Sequence, residues 1–209
     1  MDKRLEDYIY RYSEEEPDIL KELARETHIR MLRPRMLSGA VQGGFLRMLC
    51  KISGARSVLD IGSFTGYSAI SMGLGLFSGC VYTIEKNEEY EDFIRKYMDK
   101  SGLNDIIRLY IGDALEIIPA IPGSFDLVYI DGDKRQYAEY YKTVIPRLRP
   151  GGIIVADDVL WNGKVLEGGN ADDAQTRGIA EFNEMVRSDT GIENILLPLR
   201  HGIMVIRKK

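Results

Sequence analysis

The stretch VLDIGSFTGYSAI, residues 58–70, decides the fold, because it joins an apolar strand to a helix through a glycine turn. Gly62 and Gly66 allow a ligand to approach the backbone, and the helix that begins near Tyr67 offers free N–H groups. The spacing differs from the G-x-G-x-x-G of dinucleotide folds, since Asp60 occupies the place of the first glycine. An acid there disfavours a pyrophosphate and suits a ligand that carries positive charge.

Short apolar runs alternate with amphipathic helical stretches from residue 57 onward. The predicted strands are SVLDIG, CVYTIE, IIRLYIG, FDLVYID and GIIVADD, followed by ENILLPL and GIMVIRKK with no long helix between these last two. The alternation predicts an α/β fold with a mostly parallel sheet and helices on both faces. The two closing runs are predicted to be antiparallel neighbours. Ligands of such folds bind at the carboxyl ends of the strands.

Composition limits the class of protein. The chain has 209 residues, 44% of them hydrophobic, which predicts one domain: a helical cap segment over residues 1–52 and an α/β core over residues 53–209. A net charge of -4 argues against a general nucleic-acid binder. Cys50 and Cys80 lie in apolar contexts and indicate buried thiols. With a charged N-terminus and no long apolar run, we expect a cytoplasmic protein without a membrane span.

The carboxyl ends of the first three predicted strands favour a cofactor that contains a nucleoside. Glu85 ends the second strand, where a carboxylate accepts hydrogen bonds from both ribose hydroxyls. The third strand ends in IGDAL, where an adenine edge can be read. The predicted cofactor-binding residues at these strand ends are Asp60, Gly62, Gly66, Ser68, Glu85, Gly112, Asp113 and Ala114. Alternatively, each acid is only a solvated cap.

Two later strands end in carboxylates, in DLVYIDGDKRQYAEYY (residues 126–141) and in GIIVADD. If these strands are neighbours, Asp131 converges with Asp157 and Asp158. Three acids in one cleft repel one another unless a cation lies between them, and oxygen ligands favour Mg²⁺. Asp133 is predicted to cap the following helix. Alternatively, the three acids cap helices or pair with neighbouring cations, namely Lys134, Arg135 and Lys164.

These motifs resemble those of a known family. LDIGSFTGYSA is similar to the first motif of class I S-adenosylmethionine (SAM)-dependent methyltransferases, which have a Rossmann-like sheet of seven strands with the last one antiparallel. The spacing of Asp131 and Lys134, with the later pair Asp157 and Asp158, resembles the cation-dependent O-methyltransferases. That subgroup includes the catechol and caffeoyl-CoA O-methyltransferases. The resemblance runs from about Met36 to the C-terminus.

The resemblance implies roles for particular residues. The three acids would bind the metal, Lys134 would be the base, and Asp131 would also border the cofactor. Asp158 stands where the family has Asn and adds a negative charge, which leaves the choice of cation open. Mg²⁺ is the expected cation, with Ca²⁺ or Mn²⁺ as alternatives. Leu37 and Ser38, in MLSGAVQGGFLRML, fall where the family touches its cofactor. We expect burial and the metal to lower the pKa of Lys134 enough for it to accept a proton.

The expected activity is methyl transfer to a catechol-type or other vicinal hydroxyl of a small molecule. Trp161 and Arg35 are candidate substrate residues, and Trp161 with the loop EGGNADDAQTRG, residues 167–178, is a candidate for the substrate wall. The cluster Arg30, Arg33 and Arg35 keeps an alternative open, because bacterial relatives methylate 5-hydroxyuridine in tRNA. A non-catalytic SAM-binding module is a third possibility, and a dehydrogenase is disfavoured by the glycine spacing. His201 is predicted to lie in a surface loop, and the family implies a homodimer.

Overall fold

The computed structural model describes residues 3–170 and 173–209. Its helices are α1 (Lys3–Tyr12), α2 (Asp18–Arg30), α3 (Ala40–Ser53), α4 (Tyr67–Gly73), α5 (Glu91–Ser101), α6 (Ala114–Ile117), α7 (Tyr137–Val144) and α8 (Ala174–Ser188). Its strands are β1 (Ser57–Ile61), β2 (Cys80–Glu85), β3 (Ile107–Ile111), β4 (Phe125–Ile130), β5 (Leu148–Ala156), β6 (Ile192–Leu197) and β7 (Ile203–Lys208). Each predicted strand is therefore present.

The seven strands form one sheet in the order β3-β2-β1-β4-β5-β7-β6. Strands β1 to β5 pair in parallel, whereas β7 is antiparallel to both β5 and β6. This topology confirms the predicted Rossmann-like sheet and the antiparallel pairing of the two closing runs. The strand order reverses between β1 and β4, which is where doubly wound folds bind ligands.

The sheet is buried on both faces because its central strands are apolar at successive positions. In β4, Val128 and Ile130 pack in one hydrophobic cluster, and Leu127 and Tyr129 pack in the other. Helices α7 and α8 cover the first face, and α2 to α5 cover the second. Helices on both faces of a largely parallel sheet were the sequence expectation and are confirmed.

Helices α2 and α3 bring N-terminal residues to the glycine turn after β1. Thr27 Oγ1 at the end of α2 donates to Thr65 Oγ1 at 3.1 Å, and both side chains are fully buried. A short 3-10 turn, Pro34–Met36, then leads to Leu37 and into α3. The segment that joins the two helices is thereby placed beside the carboxyl ends of the strands. The boundary predicted at residues 52 and 53 stays a prediction.

Several element bounds differ from the expectation. Helix α6 has only four residues, because Pro119 follows within one turn and a 3-10 turn takes over at Ile118. Strand β5 starts at Leu148, four residues before the predicted run. Asp173 caps α8, while residues 171 and 172 of the predicted substrate loop lie outside the described residues. Within the described part of the chain, no helix is both long and apolar enough to cross a membrane.

Candidate functional site

A cleft of about 480 Å³ opens at the carboxyl ends of strands β1 to β5. Its volume is in the range of pockets that hold small molecules. The cleft is lined by Arg33, Met36, Ile61, Gly62, Phe64, Ile84, Glu85, Lys86, Tyr90, Gly112, Ala114, Asp131, Gly132, Asp133, Lys134, Arg135, Tyr140, Asp158, Trp161 and Gln175. Residues from both predicted ends of the site, cofactor and metal, thus line one cavity.

Gly62 joins these two ends. Its φ of +99° lies in the left-handed region, and a Cβ at this position would lie 2.4 Å from the carbonyl oxygen of Asp131. The N–H of Asp131 donates to Ile61 O at 2.9 Å, so the ends of β1 and β4 are held together. Only glycine meets both the conformational and the steric demand. Gly66 is the residue that caps the N-terminus of α4, and its φ of +86° also lies in the left-handed region.

Asp60 is fully buried on β1 below this turn. Its Oδ2 accepts hydrogen bonds from Thr83 Oγ1 at 2.7 Å and Ser68 Oγ at 3.0 Å. Its Oδ1 has no hydrogen-bond partner among the described residues. Burial raises the pKa of Asp60 to about 7, and the charge of Glu85 adds to the rise. Asp60 is therefore a buried hydrogen-bond acceptor below the turn, and it is not among the residues that line the cleft.

Substitution Asp60→Asn should flatten the pH dependence of stability. Because the pKa of Asp60 is raised in the folded state, its protonation favours folding below pH 4, and that contribution is lost as pH rises through 7. Asn mimics the protonated acid at every pH. Urea unfolding at pH 4 to 8 should show the variant gaining up to about 1.4 kcal/mol per pH unit over the wild type. A constant difference across this range would contradict the assignment.

Glu85 lies at the end of β2 and lines the cleft. Its Oε2 accepts from the backbone N–H of Phe64 at 2.6 Å, and its Oε1 accepts from that of Asn87 at 2.8 Å. Burial raises its pKa, although these N–H groups oppose the rise. The carboxylate is therefore held in a fixed orientation beside the glycine turn.

The third strand end is divided between the cleft and the surface. Gly112 and Ala114 line the cleft, as expected for residues that meet an adenine edge. Asp113 instead caps α6, accepting from Leu115 N at 2.9 Å, and pairs with Lys86 at 2.8 Å. The Lys86 contact lowers the pKa of Asp113. The Asp113 carboxylate already has these partners, and Asp113 is not among the residues that line the cleft.

Leu37 and Ser38 lie against the glycine turn, as the resemblance implied. With Ser68, Gly62 and Asp131 they line a small recess beside the main cleft. Both Leu37 and Ser38 are buried. The structure therefore brings together the predicted cofactor residues of the N-terminal segment and those that follow β1.

Asp131, Asp157 and Asp158 converge at the ends of β4 and β5. One carboxylate oxygen from each lies within 4.8 Å of the other two. The pairing of Ile130 with Ala156 in the sheet places the acids side by side. Asp158 has φ +59°, a conformation that turns its backbone sharply after the strand. Burial raises the pKa of Asp131 to about 7 and also raises that of Asp157, whose other cause is the charge of Asp158.

Lys134 is buried within this cluster, with 6% of its surface exposed. Its Nζ lies 2.6 Å from Asp131 Oδ1 and 3.2 Å from Asp158 Oδ2, and it donates to the hydroxyl of Tyr137 at 2.7 Å. Burial lowers the pKa of Lys134, but the charges of the neighbouring acids outweigh it and hold the pKa well above its usual value. The expected lowering was tied to burial and a bound metal acting together, and it stays a prediction. The alternative in which the acids pair with neighbouring cations holds for Asp131 and Asp158, which both pair with Lys134.

Other expected residues lie outside the acid cluster. Asp133 caps the 3-10 turn at Lys134–Gln136, as predicted, and pairs with Arg135. Lys164 Nζ lies 3.6 Å from Asp173 Oδ2. His201 is exposed in the turn before β7, which confirms the surface-loop expectation.

The proposed substrate residues are divided between two cavities. Trp161 forms part of the cleft wall, and its indole Nε1 donates to Asp173 at 3.3 Å. Arg33 lines both the cleft and an open groove beside it, whereas Arg35 lines only the groove. Arg30 points along α2 to Glu26, at 2.6 Å. Of the arginine cluster, Arg33 is therefore the member that the structure brings into the cleft.

Sequence reasoning missed four residues that surround the acids. Gln42 Nε2 donates to Asp157 Oδ2 and to the hydroxyl of Tyr129, both at 2.6 Å. The hydroxyl of Tyr137 lies 3.2 Å from Ile130 O and 3.0 Å from Asp157 O, at the ends of two strands. The fourth residue, Arg200, contacts Gln42 from the turn after β6. Gln42, an uncharged polar residue in an apolar helical stretch, was the one available signal.

The strand order of the sheet reverses beside a glycine turn. Acids lie on β1, at the end of β2 and, as a cluster, directly after β4 and β5. This combination is that of a class I methyltransferase. The sequence profile of the O-methyltransferase family matches residues 10–209. The chain belongs to this family, and it is a SAM-dependent O-methyltransferase. The possibility of a non-catalytic module is thereby set aside.

Relatives and solved structures agree with this assignment. The chain is 33% identical over 163 residues to a catechol O-methyltransferase of Niastella koreensis, covering 76% of this chain and 73% of that protein. It is 33% identical over 207 residues to caffeoyl-CoA O-methyltransferase 1 of Eucalyptus globulus, covering 92% and 82%. The crystal structure of an O-methyltransferase from Bacillus cereus in complex with S-adenosylhomocysteine (SAH) is 28% identical, with a TM-score of 0.92 over 99% of this chain and 97% of that one.

Proposed function

We propose that this enzyme transfers a methyl group from SAM to a catechol-type or other vicinal hydroxyl of a small molecule, assisted by a divalent cation. The observation that carries the proposal is the convergence of Asp131, Asp157 and Asp158 beside the cofactor cleft. Relatives named for catechol and caffeoyl-CoA as substrates support the substrate class.

The donor set at the acid cluster fits a hard cation. Three carboxylates offer oxygen ligands within a space of 4.8 Å, and Lys134 is the cation that partly balances them in this structure. Oxygen ligands favour Mg²⁺, while Ca²⁺ and Mn²⁺ bind the same donor type. When bound, such a cation supplies Lewis acidity that lowers the pKa of a substrate hydroxyl.

The cofactor residues fit a sulfonium nucleoside. Glu85 offers fixed carboxylate oxygens for ribose hydroxyls, and Gly112 and Ala114 leave room beside them. Asp60 contributes a buried carboxyl group that accepts a hydrogen bond at 3.0 Å from Ser68, which lines the recess. SAM supplies an electrophilic methyl group, and the cleft holds donor and acceptor in one cavity. Positioning of two reactants alone supplies several kcal/mol of catalysis, on the order of 7–11 in favourable cases.

Lys134 is the proposed proton acceptor at the reacting oxygen. Its ammonium is protonated in the present arrangement, because Asp131 and Asp158 hold its pKa high. Once those charges are neutralised, burial remains, and burial lowers the pKa of an amine. Lys134 would then release its proton to solvent and, as a neutral amine, accept the hydroxyl proton at Nζ, and the contact with Tyr137 keeps that nitrogen facing the acids.

Trp161 and Arg33 are the proposed substrate contacts within the cleft. The indole N–H donates to Asp173, which also caps α8, and this contact orients the ring. The ring then offers a flat surface against which an aromatic substrate can pack. Arg35 lies farther out, in the adjoining groove. A substrate that extends from the cleft would reach it.

The presence of Arg33 and Arg35 at the mouth favours one second candidate, methylation of 5-hydroxyuridine in tRNA. Guanidinium groups pair with phosphates, and two of them border the cleft and the groove. The net charge of -4 opposes binding to a long polyanion. The small-molecule substrate is therefore preferred.

The substrate class is tested with labelled SAM and Mg²⁺ against a panel of catechols, caffeoyl-CoA and hypomodified tRNA. The proposal predicts labelled product from at least one catechol or catechol ester, and none from a monophenol that lacks the vicinal hydroxyl. Transfer to tRNA alone would support the second candidate and overturn the first.

A cytoplasmic location is part of the proposal. Cys50 and Cys80 are both free thiols, which suits a reducing compartment. The homodimer implied by the resemblance stays a prediction, which light scattering of the purified protein would test.

A further inference from the structure

The turn between β6 and β7 lies directly against the segment that follows the acid cluster. The N–H of Val159 donates to Gly202 O at 3.0 Å, and that of Leu160 donates to His201 O at 2.8 Å. A Cβ on Gly202 would lie only 2.5 Å from Leu160 Cγ. The turn is therefore fixed in position relative to the two residues that follow Asp158.

Arg200 extends from this turn to the other side of the site. Its Nη1 donates to the backbone oxygen of Ser38 and, at 2.7 Å, to Oε1 of Gln42. Its φ of +51° lies in the left-handed region, which an L-residue adopts at some cost. Gln42 is fully buried on α3. One guanidinium nitrogen thus connects the turn after β6 to the predicted cofactor segment and to a buried amide.

The contact with Arg200 determines which way the Gln42 amide points. A guanidinium can only donate, so the amide atom that faces it is the oxygen. The NH₂ group then faces Asp157 Oδ2 and the hydroxyl of Tyr129, each at 2.6 Å. Tyr129 Oη in turn lies 3.2 Å from Asp157 Oδ2 and 3.4 Å from Asp131 Oδ2, so its single O–H can donate to either acid.

We propose that Arg200 and Gln42 are positioning residues of the cation site: Arg200 fixes the orientation of the Gln42 amide, and Gln42 holds Asp157 and Tyr129 in place for cation binding. The inference rests on the proposed cation-assisted function. Partners that orient the ligands of a metal typically change its affinity by about 10- to 100-fold when they are removed.

The test is a calorimetric titration with Mn²⁺ of the wild type, Arg200→Met, Gln42→Met and the double variant. Met is close to Gln in length, is shorter than Arg, and offers no N–H donor at either position. Each single variant loses its N–H donors and should bind Mn²⁺ about tenfold more weakly. The double variant should bind no more weakly than Gln42→Met, because Arg200 acts through Gln42. Arg207→Met is the matched control, since Arg207 pairs with Glu193 at 3.2 Å on the surface of the sheet.

Single-variant affinities within twofold of the wild type, or losses that multiply in the double variant, would overturn the inference. Thermal unfolding of every variant identifies any that fail to fold, and Arg200→Leu, which also has no N–H donor, then replaces Arg200→Met in the same cycle. If the wild type binds no Mn²⁺, the cation proposal itself fails. The inference about Arg200 and Gln42 then falls with it, whereas Mn²⁺ binding by the wild type with unchanged variants overturns the inference alone.

Discussion

Substitution Asp131→Ala should abolish cation binding and lower the rate of methyl transfer by about 10³-fold, which corresponds to several kcal/mol of lost charge stabilisation. Asp131 is central to the cluster: its Oδ1 faces Lys134 at 2.6 Å, and its Oδ2 faces the hydroxyl of Tyr129. Its removal leaves two acids, too few to hold the cation firmly. Mn²⁺ titration and the initial rate of methyl transfer to a catechol measure the two effects.

A surface acid provides the control for this substitution. Glu184 pairs with Arg187 one turn away on α8, so Glu184→Ala removes a carboxylate without touching the cleft. Its rate and its affinity for Mn²⁺ should equal those of the wild type. Full cation-dependent activity in Asp131→Ala would remove Asp131 from the proposed site.

Substitution Lys134→Met should lower kcat by about 10²- to 10⁴-fold, the range typical for loss of a positioned general base. Met retains the length and the apolar stem of the side chain but cannot carry a proton. Apart from Asp131, the predicted cofactor residues lie on or just after β1 to β3 and in the N-terminal segment. The dissociation constant for SAH should therefore stay within a few-fold of the wild type. Stopped-time assays with labelled SAM and calorimetry with SAH provide the two numbers.

The separation of these two readouts distinguishes a role in the chemical step from a structural role. Lys134 also balances the charges of Asp131 and Asp158, so a misfolded cluster would disturb the recess that Asp131 lines with Ser38. Loss of SAH binding together with kcat would therefore indicate a structural role. An unchanged kcat would refute the assignment of Lys134 as the base.

The sequence predicted the strand ends because their chemistry is local. Asp60, Glu85 and Asp131 each follow an apolar run, and parallel strands bring such ends to one edge of a sheet. The convergence of Asp131 with Asp157 required only that β4 and β5 be neighbours, which the pairing of the two strands confirms. The fold and the grouping of the acids were therefore predictable from sequence.

The residues around the acids were not predictable, because they are distant in the chain. Gln42 lies 115 residues from Asp157, and Arg200 lies 158 residues from Gln42. No sequence period relates such pairs. The direction of the pKa shift of Lys134 also depends on distances. Burial lowers this pKa while Asp131, Asp158 and the Tyr137 hydroxyl raise it, and the 2.6 Å contact with Asp131 helps the raising groups to prevail.

Cation dependence of the purified wild-type enzyme is the most direct test of the central claim. The enzyme is stripped with a chelator and dialysed, and the initial rate of methyl transfer from SAM to a catechol is measured as Mg²⁺ is added back. The account predicts a rate near the uncatalysed background without cation and saturable recovery with Mg²⁺. Full activity in the presence of excess chelator would contradict a cation-assisted mechanism at Asp131, Asp157 and Asp158.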